Sequence, residues 1–106
     1  EIYSSAIPED DQRLSGFYFW VNNPNPFNPQ TTFEYSLAEA SAVQLRIYDM
    51  LGRNVATLVD QYQTAGIYLI HWDSRESSGR PAASGVYYCK LSAGKNSAIQ
   101  KMILMR

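Results

Sequence analysis

Apolar and polar residues alternate along most of this chain, in short runs. In TTFEYSL, Phe33, Tyr35 and Leu37 share one parity, while Thr32, Glu34 and Ser36 share the other. In AVQLRIYD, Val43, Leu45 and Ile47 stand against Gln44, Arg46 and Tyr48. A period of two sends the two sets to opposite faces of a strand, so both runs predict strands with one face in a core and one face wet. The same parity turns Tyr68, Ile70 and Trp72 inward with His71 outward, and Tyr87, Cys89 and Leu91 inward with Tyr88 and Lys90 outward. Runs rich in Val, Ile, Tyr, Phe and Thr predict seven strands, at 17–21, 31–37, 42–50, 54–60, 66–73, 85–93 and 97–105. Gly, Pro, Asn, Asp and Ser separate them at intervals of about ten residues, the spacing of an all-β chain. No segment carries a helical period.

Strands with one wet face pair into sheets that bury their dry faces against each other. Seven of them in about 90 residues predict a seven-stranded antiparallel immunoglobulin-like β-sandwich, with a small barrel as the alternative. The intervening residues suit the turns this requires. Gly52 in YDMLGRNV meets the need for positive φ in a tight connection, and Gly94 with Asn96 suits a hairpin between the last two strands. DSRESSGRPAASG is a polar loop containing Pro81. Ahead of the second strand, Pro24, Pro26 and Pro29 fix φ and withhold donors, while Asn23, Asn25 and Asn28 can close turns. This segment predicts a stiff corner with Phe27 as its apolar pin. The terminal KMILMR is apolar on both faces, with Ile103 and Met105 alternating against Met102 and Leu104. It is either fully buried or an edge that another chain meets.

Composition narrows the field. With 106 residues, 45% of them hydrophobic, the chain suffices for one domain with a modest core. Residues 1–16, with the acidic cluster Glu9, Asp10 and Asp11, show no period and are expected to be a linker from a preceding domain; 17–106 form the domain. Opening on Glu1 rather than Met, the sequence is expected to be part of a larger protein. Nine Lys and Arg against ten Asp and Glu leave a net charge of −1, which supplies no basic field for nucleic acid. No apolar run approaches the roughly 18 residues that span a bilayer, and the first residues do not read as a signal peptide.

Candidate chemistry is sparse. With His71 and Cys89 the single residues of their types, an ordinary zinc site cannot be assembled. Alternation puts the two on opposite faces, and no Gly-x-Ser-x-Gly elbow is present, so nucleophilic catalysis is not expected. Gly52, Gly66, Gly79, Gly85 and Gly94 are spaced as turns, not as a phosphate cradle. Asp73 and Glu76 are weak calcium candidates in a loop short of the usual ligand density, and turn capping by Asp73 is the simpler reading. Tyr18, Trp20, Tyr48, Tyr62 and Tyr88 fall on outward positions, where they either form a sugar-stacking platform or pack across strands. Cys89 reads as a small buried hydrophobe. No cofactor is implied.

Taken together, NNPNPFNPQTTFEYSL, QLRIYDMLGRNVATLVD, AGIYLIHWD, SGRPAASGVYYCKL and KMILMR resemble the type A carboxyl-terminal sorting domain of proteins exported by the type IX secretion system. They are also similar to the immunoglobulin-like module of the flagellar hook-capping protein FlgD. The resemblance runs in order from about residue 17 to residue 106. It implies a non-enzymatic module that directs an upstream cargo domain through the periplasm to the cell surface or medium. Its implied partners are translocon and sortase components, with strand addition at the last hairpin as a docking mode. The signal residues it implies are Gly52, Arg53, Gly85, Tyr87, Lys101, Met102, Ile103 and Leu104. The chain departs from the family pattern after Trp72-Asp73, where Glu76 takes the acidic place, and at Cys89, where an aromatic is more usual. From the residues alone, a carbohydrate- or surface-binding accessory module is the alternative, and the terminal strand is a place for weak self-association.

Overall fold

A computed structural model describes residues 18–21 and 30–106. The expected linker at 1–16, Phe17 and the proline corner with Phe27 lie outside the described residues. Within them run seven strands, β1 (Tyr18–Val21), β2 (Thr31–Leu37), β3 (Ser41–Asp49), β4 (Asn54–Gln63), β5 (Gly66–Trp72), β6 (Gly85–Ala93) and β7 (Asn96–Leu104). They form a three-stranded sheet in the order β1-β2-β5 and a four-stranded sheet in the order β4-β3-β6-β7. Every pairing is antiparallel. This is the expected immunoglobulin-like sandwich.

The inner faces are those that alternation selects. Phe33, Tyr35 and Leu37 of β2 and Trp72 of β5 meet Val43, Leu45 and Ile47 of β3, with Cys89 and Leu91 of β6, in one buried cluster. Tyr35 closes one side of it: its ring stacks on Tyr68 at 5.3 Å, and its hydroxyl donates to Gln63 Oε1 at 2.5 Å. β4 therefore continues to Gln63, beyond the expected end at residue 60. Gln63 is 8% exposed, and its amide satisfies a phenol that burial would otherwise orphan.

Two expectations are corrected and one open alternative is decided. Glu34 and Ser36 do not face water: they are buried, as is Tyr18, which was placed outside. Tyr18 pairs with Ser36 on β2, and its phenol reaches along that face to donate to Glu34 Oε2 at 2.7 Å. Strict alternation also fails in β4, where Ala56 and Val59 point inward three residues apart. The β3–β4 register shifts twice, leaving Leu58 and Val55 as extra residues on the bulged strand. Finally, β7 is not fully buried. It lies at the edge of the four-stranded sheet with Met102 and Leu104 in the core, while Ile99 and Ile103 are 61% and 39% exposed.

Candidate functional site

The β3–β4 turn is organised by one carboxylate. Asp49 Oδ1 accepts from the backbone N–H groups of Leu51 at 2.9 Å and Arg53 at 3.0 Å, and its Oδ2 takes the Arg53 Nε–H at 2.8 Å. Gly52 adopts φ of 83° and donates its N–H to the Asp49 carbonyl. A side chain there would be strained even though nothing crowds the position. The Arg53 N–H is the main influence holding the Asp49 carboxyl below its ordinary range, aided by the Arg53 guanidinium and the Leu51 N–H and opposed by desolvation. This scaffold lifts Met50 and Leu51 into solvent, 68% and 78% exposed.

The loop from 73 to 84 closes against the same end of the sandwich. Ser74, at φ 68° and fully buried, offers its carbonyl to the Ala82 N–H at 2.8 Å and to Arg106 Nη2 at 2.7 Å. Arg106 also donates through Nε to the Ala82 carbonyl at 2.6 Å, and its backbone N–H bonds Ser84 Oγ. One guanidinium thus ties both arms of the loop to the residues after β7. Trp72 donates to the Arg75 carbonyl at 2.9 Å and meets the edge of the Tyr87 ring at 5.8 Å. The Tyr87 hydroxyl returns to the Ala83 carbonyl at 2.7 Å, pinning the corner that opens β6. Burial is the first cause raising the Tyr87 phenol pKa, followed by the charges of Glu76 and Asp49, against a lowering by Arg106.

The residues implied as a sorting signal therefore fall into a geometric group. Asp49 pairs with Tyr87 and Gly85 with Leu104, so the β3–β4 turn, the start of β6 and the end of β7 share one end of the domain. A depression of about 470 Å³ between turn and loop is bordered by Asp49, Arg53, Val55, Glu76, Ser78 and Arg80. Within the group the roles divide. Met102, Leu104 and Tyr87 are core residues, and Gly52 and Gly85, at φ 83° and 154°, serve the backbone. Arg53, Lys101 and Ile103 reach the surface. Asp49 and Arg106 were missed. Asx-to-backbone capping makes an aspartate before Gly52 readable as a turn organiser, whereas nothing local to Arg106 announces carbonyls 24 and 32 residues away.

The remaining candidates sit apart from one another. Asp73 Oδ1 accepts the Arg75 N–H as a turn cap, and Glu76 lies 3.9 Å from Arg80 Nε. Among the described residues, no three His, Cys, Asp or Glu gather where a metal could sit. His71 shares a hydrogen bond with Thr32 Oγ1 through Nδ1, on the face away from the core. Cys89 is fully buried, and burial pushes its thiol pKa well up, away from nucleophilic reactivity. Tyr48 and Tyr88 are half-buried cross-strand partners, while Tyr62 stands opposite Ala42 at the far end of the sheet, so these three tyrosines do not form one platform.

A two-sheet sandwich with a pinned tyrosine corner and this turn geometry defines an immunoglobulin-like domain. The chain belongs to the FlgD Ig-like domain family, whose pattern it matches over residues 27–97. No curated protein sequence matches it. Among solved structures it is similar to dimeric latent PorU from Porphyromonas gingivalis, at 22% identity and a TM-score of 0.61 over 86% of this chain. It is also similar to PorZ, an essential bacterial surface component of the type IX secretion system of Porphyromonas gingivalis, at 25% identity and a TM-score of 0.58 over 89% of this chain. The matches cover 10% of the PorU chain and 12% of the PorZ chain, so the domain spans about a tenth of either protein.

Proposed function

We propose that residues 17–106 are a non-catalytic sorting module of the type IX secretion system, joined through residues 1–16 to an upstream cargo domain. Its destination is the cell surface or medium by way of the periplasm, and its partners are translocon and sortase components. The observation that carries the reading is the convergence of the separately spaced motif residues Gly52, Arg53, Gly85, Tyr87 and Leu104 on one end of the sandwich. The similarity to PorZ, a type IX surface component, supports it. The exposed side chains Arg53, Lys101 and Ile103 are the ones a receptor can read, whereas Met102 and Leu104 serve the reading by holding β7 in place.

The test is export of a folded reporter fused ahead of residues 1–106, in a host with the type IX system. Lys101→Glu combined with Ile103→Ser alters the exposed face of β7 and leaves the core intact. Export is expected to fall at least about tenfold while the purified domain keeps its melting temperature within a few degrees, since surface changes rarely exceed about 0.5 kcal/mol. Undiminished export of that variant, together with undiminished export of Arg53→Ala, would sink this reading.

A further inference from the structure

We propose that Arg46 of β3 and Lys90 of β6 form a carboxylate-binding site on the outer face of the four-stranded sheet, and that its occupant is this chain's own acidic cluster, Glu9, Asp10 and Asp11. The two cations are register partners, and burial of Leu45, Ile47, Cys89 and Leu91 turns both away from the core. Like charges directly opposite each other destabilise a strand pair. The other four described arginines are held: Arg53 by Asp49, Arg75 by the Gly79 carbonyl, Arg80 by Glu76, and Arg106 by the carbonyls of Ser74 and Ala82. Arg46 and Lys90 have no such side-chain partner among the described residues, and Arg46 Nε is shielded from solvent without a hydrogen bond. Asp60, the one carboxylate described on that face, is taken by Gln44 Nε2 at 3.3 Å. A carboxylate set between guanidinium and ammonium offsets both deficits at once.

Charge balance and reach select the occupant. Eight Lys and Arg against six Asp and Glu leave the described residues at +2, whereas Glu1, Glu9, Asp10 and Asp11 against Arg13 put residues 1–16 at −3. The complementary charge thus belongs to one segment, and that segment joins the fold beside the cations. β1 begins at Tyr18, and the Phe19 carbonyl accepts from Gln100 Nε2 of β7. Gln100 follows Ile99, the register partner of Lys90, and Arg46 stands one strand beyond. Neighbouring strands lie about 4.8 Å apart, whereas the seven steps from residue 18 back to residue 11 span up to about 25 Å. The cluster can therefore reach both cations around the edge of β7. Tethering presents it at an effective concentration on the order of millimolar, so ion contacts too weak for a free peptide are populated at low salt. The contact does not depend on the export reading: a chain that is never exported can still make it.

Paramagnetic relaxation in the full chain tests the proposal. A nitroxide is attached at Gln12→Cys, and the native Cys89, fully buried, escapes labelling. At about 0.01 M salt, where the Debye length is about 30 Å, the amide signals of Lys90 and Ile99 are expected to lose at least about half their intensity, and that of Leu69 on the other sheet to keep it. At about 1 M salt the intensity should return. Arg46→Gln with Lys90→Gln should restore it, as should Glu9→Gln, Asp10→Asn and Asp11→Asn combined, while Arg46→Lys with Lys90→Arg should preserve the broadening. Full intensity at low salt, or broadening that persists in either neutralised chain, overturns the proposal. A second readout uses inorganic phosphate as a competing anion. It should shift the Arg46 and Lys90 amides more once the acidic cluster is neutralised than in the wild-type chain, and an equal response in the two overturns the assignment of the occupant.

Discussion

At the residue scale, several buried polar groups are satisfied by a single second residue. Tyr35 is the clearest case: its ring belongs to the core and its hydroxyl is held by Gln63 at 2.5 Å. Desolvation, the largest effect, raises its pKa to about 12, with the Gln63 hydrogen bond lowering it and Tyr68 raising it. A folded-state pKa above the unfolded value of about 10 favours the native chain while the phenol stays protonated. That contribution is fully present below about pH 10 and is lost as pH rises toward 12. Tyr35→Phe should therefore be less stable at pH 7 by about 1–3 kcal/mol, because Gln63 loses its donor, and should lose less further stability between pH 10 and 12. Denaturant titrations of both chains at pH 7, 10 and 12 check this; parallel pH profiles would contradict it.

At the scale of elements, the 73–84 loop owes its form to a residue outside it. The Arg106 guanidinium donates to the carbonyls of Ser74 and Ala82, holding the two arms together. Arg106→Ala should cost about 1.5–3 kcal/mol, the usual worth of hydrogen bonds from a charged group. Limited proteolysis should move to the 75–80 segment and amide exchange at Ala82 should quicken; unchanged cleavage and exchange would refute the clamp. This clamp also marks how far the sequence could be read. β3 and β6 were fully legible, because Val43, Leu45 and Ile47, and Tyr87, Cys89 and Leu91, alternate without interruption. β2 was legible on its inner face only, since burial of Glu34 depends on a phenol from β1. β4 was not, because its bulges break the period. In β7 both parities are apolar, so topology alone decides that Met102 and Leu104 go inside. At the candidate site, Gly52 was readable from its local turn and Arg53 only through the family resemblance, and the bonds of Arg106, made across the fold, were not.

For the whole molecule, the terminal strand is structural before it can be informative. Met102 and Leu104 are fully buried, and Gln100 donates to the Phe19 carbonyl at 3.1 Å, bridging the two sheets. Removing residues 100–106 deletes both core side chains, each worth about 2–5 kcal/mol, along with half of the β6–β7 pairing. That sum is comparable to the whole stability of a domain this size. The truncated chain should bind a hydrophobic dye and lose its dispersed amide spectrum, so a native-like spectrum would contradict the assignment. An export defect in that deletion therefore reports unfolding as much as loss of a signal, and the surface variants of β7 are the cleaner probe.

The position of those core side chains also orders events during synthesis. A ribosome makes about 5–20 residues each second, and upstream domains fold first as they emerge. Here the sandwich lacks two of its central side chains until residue 104 has left the exit tunnel. Neither sheet can complete its packing before that residue emerges, so the two sheets close together, at the end of the domain's own synthesis.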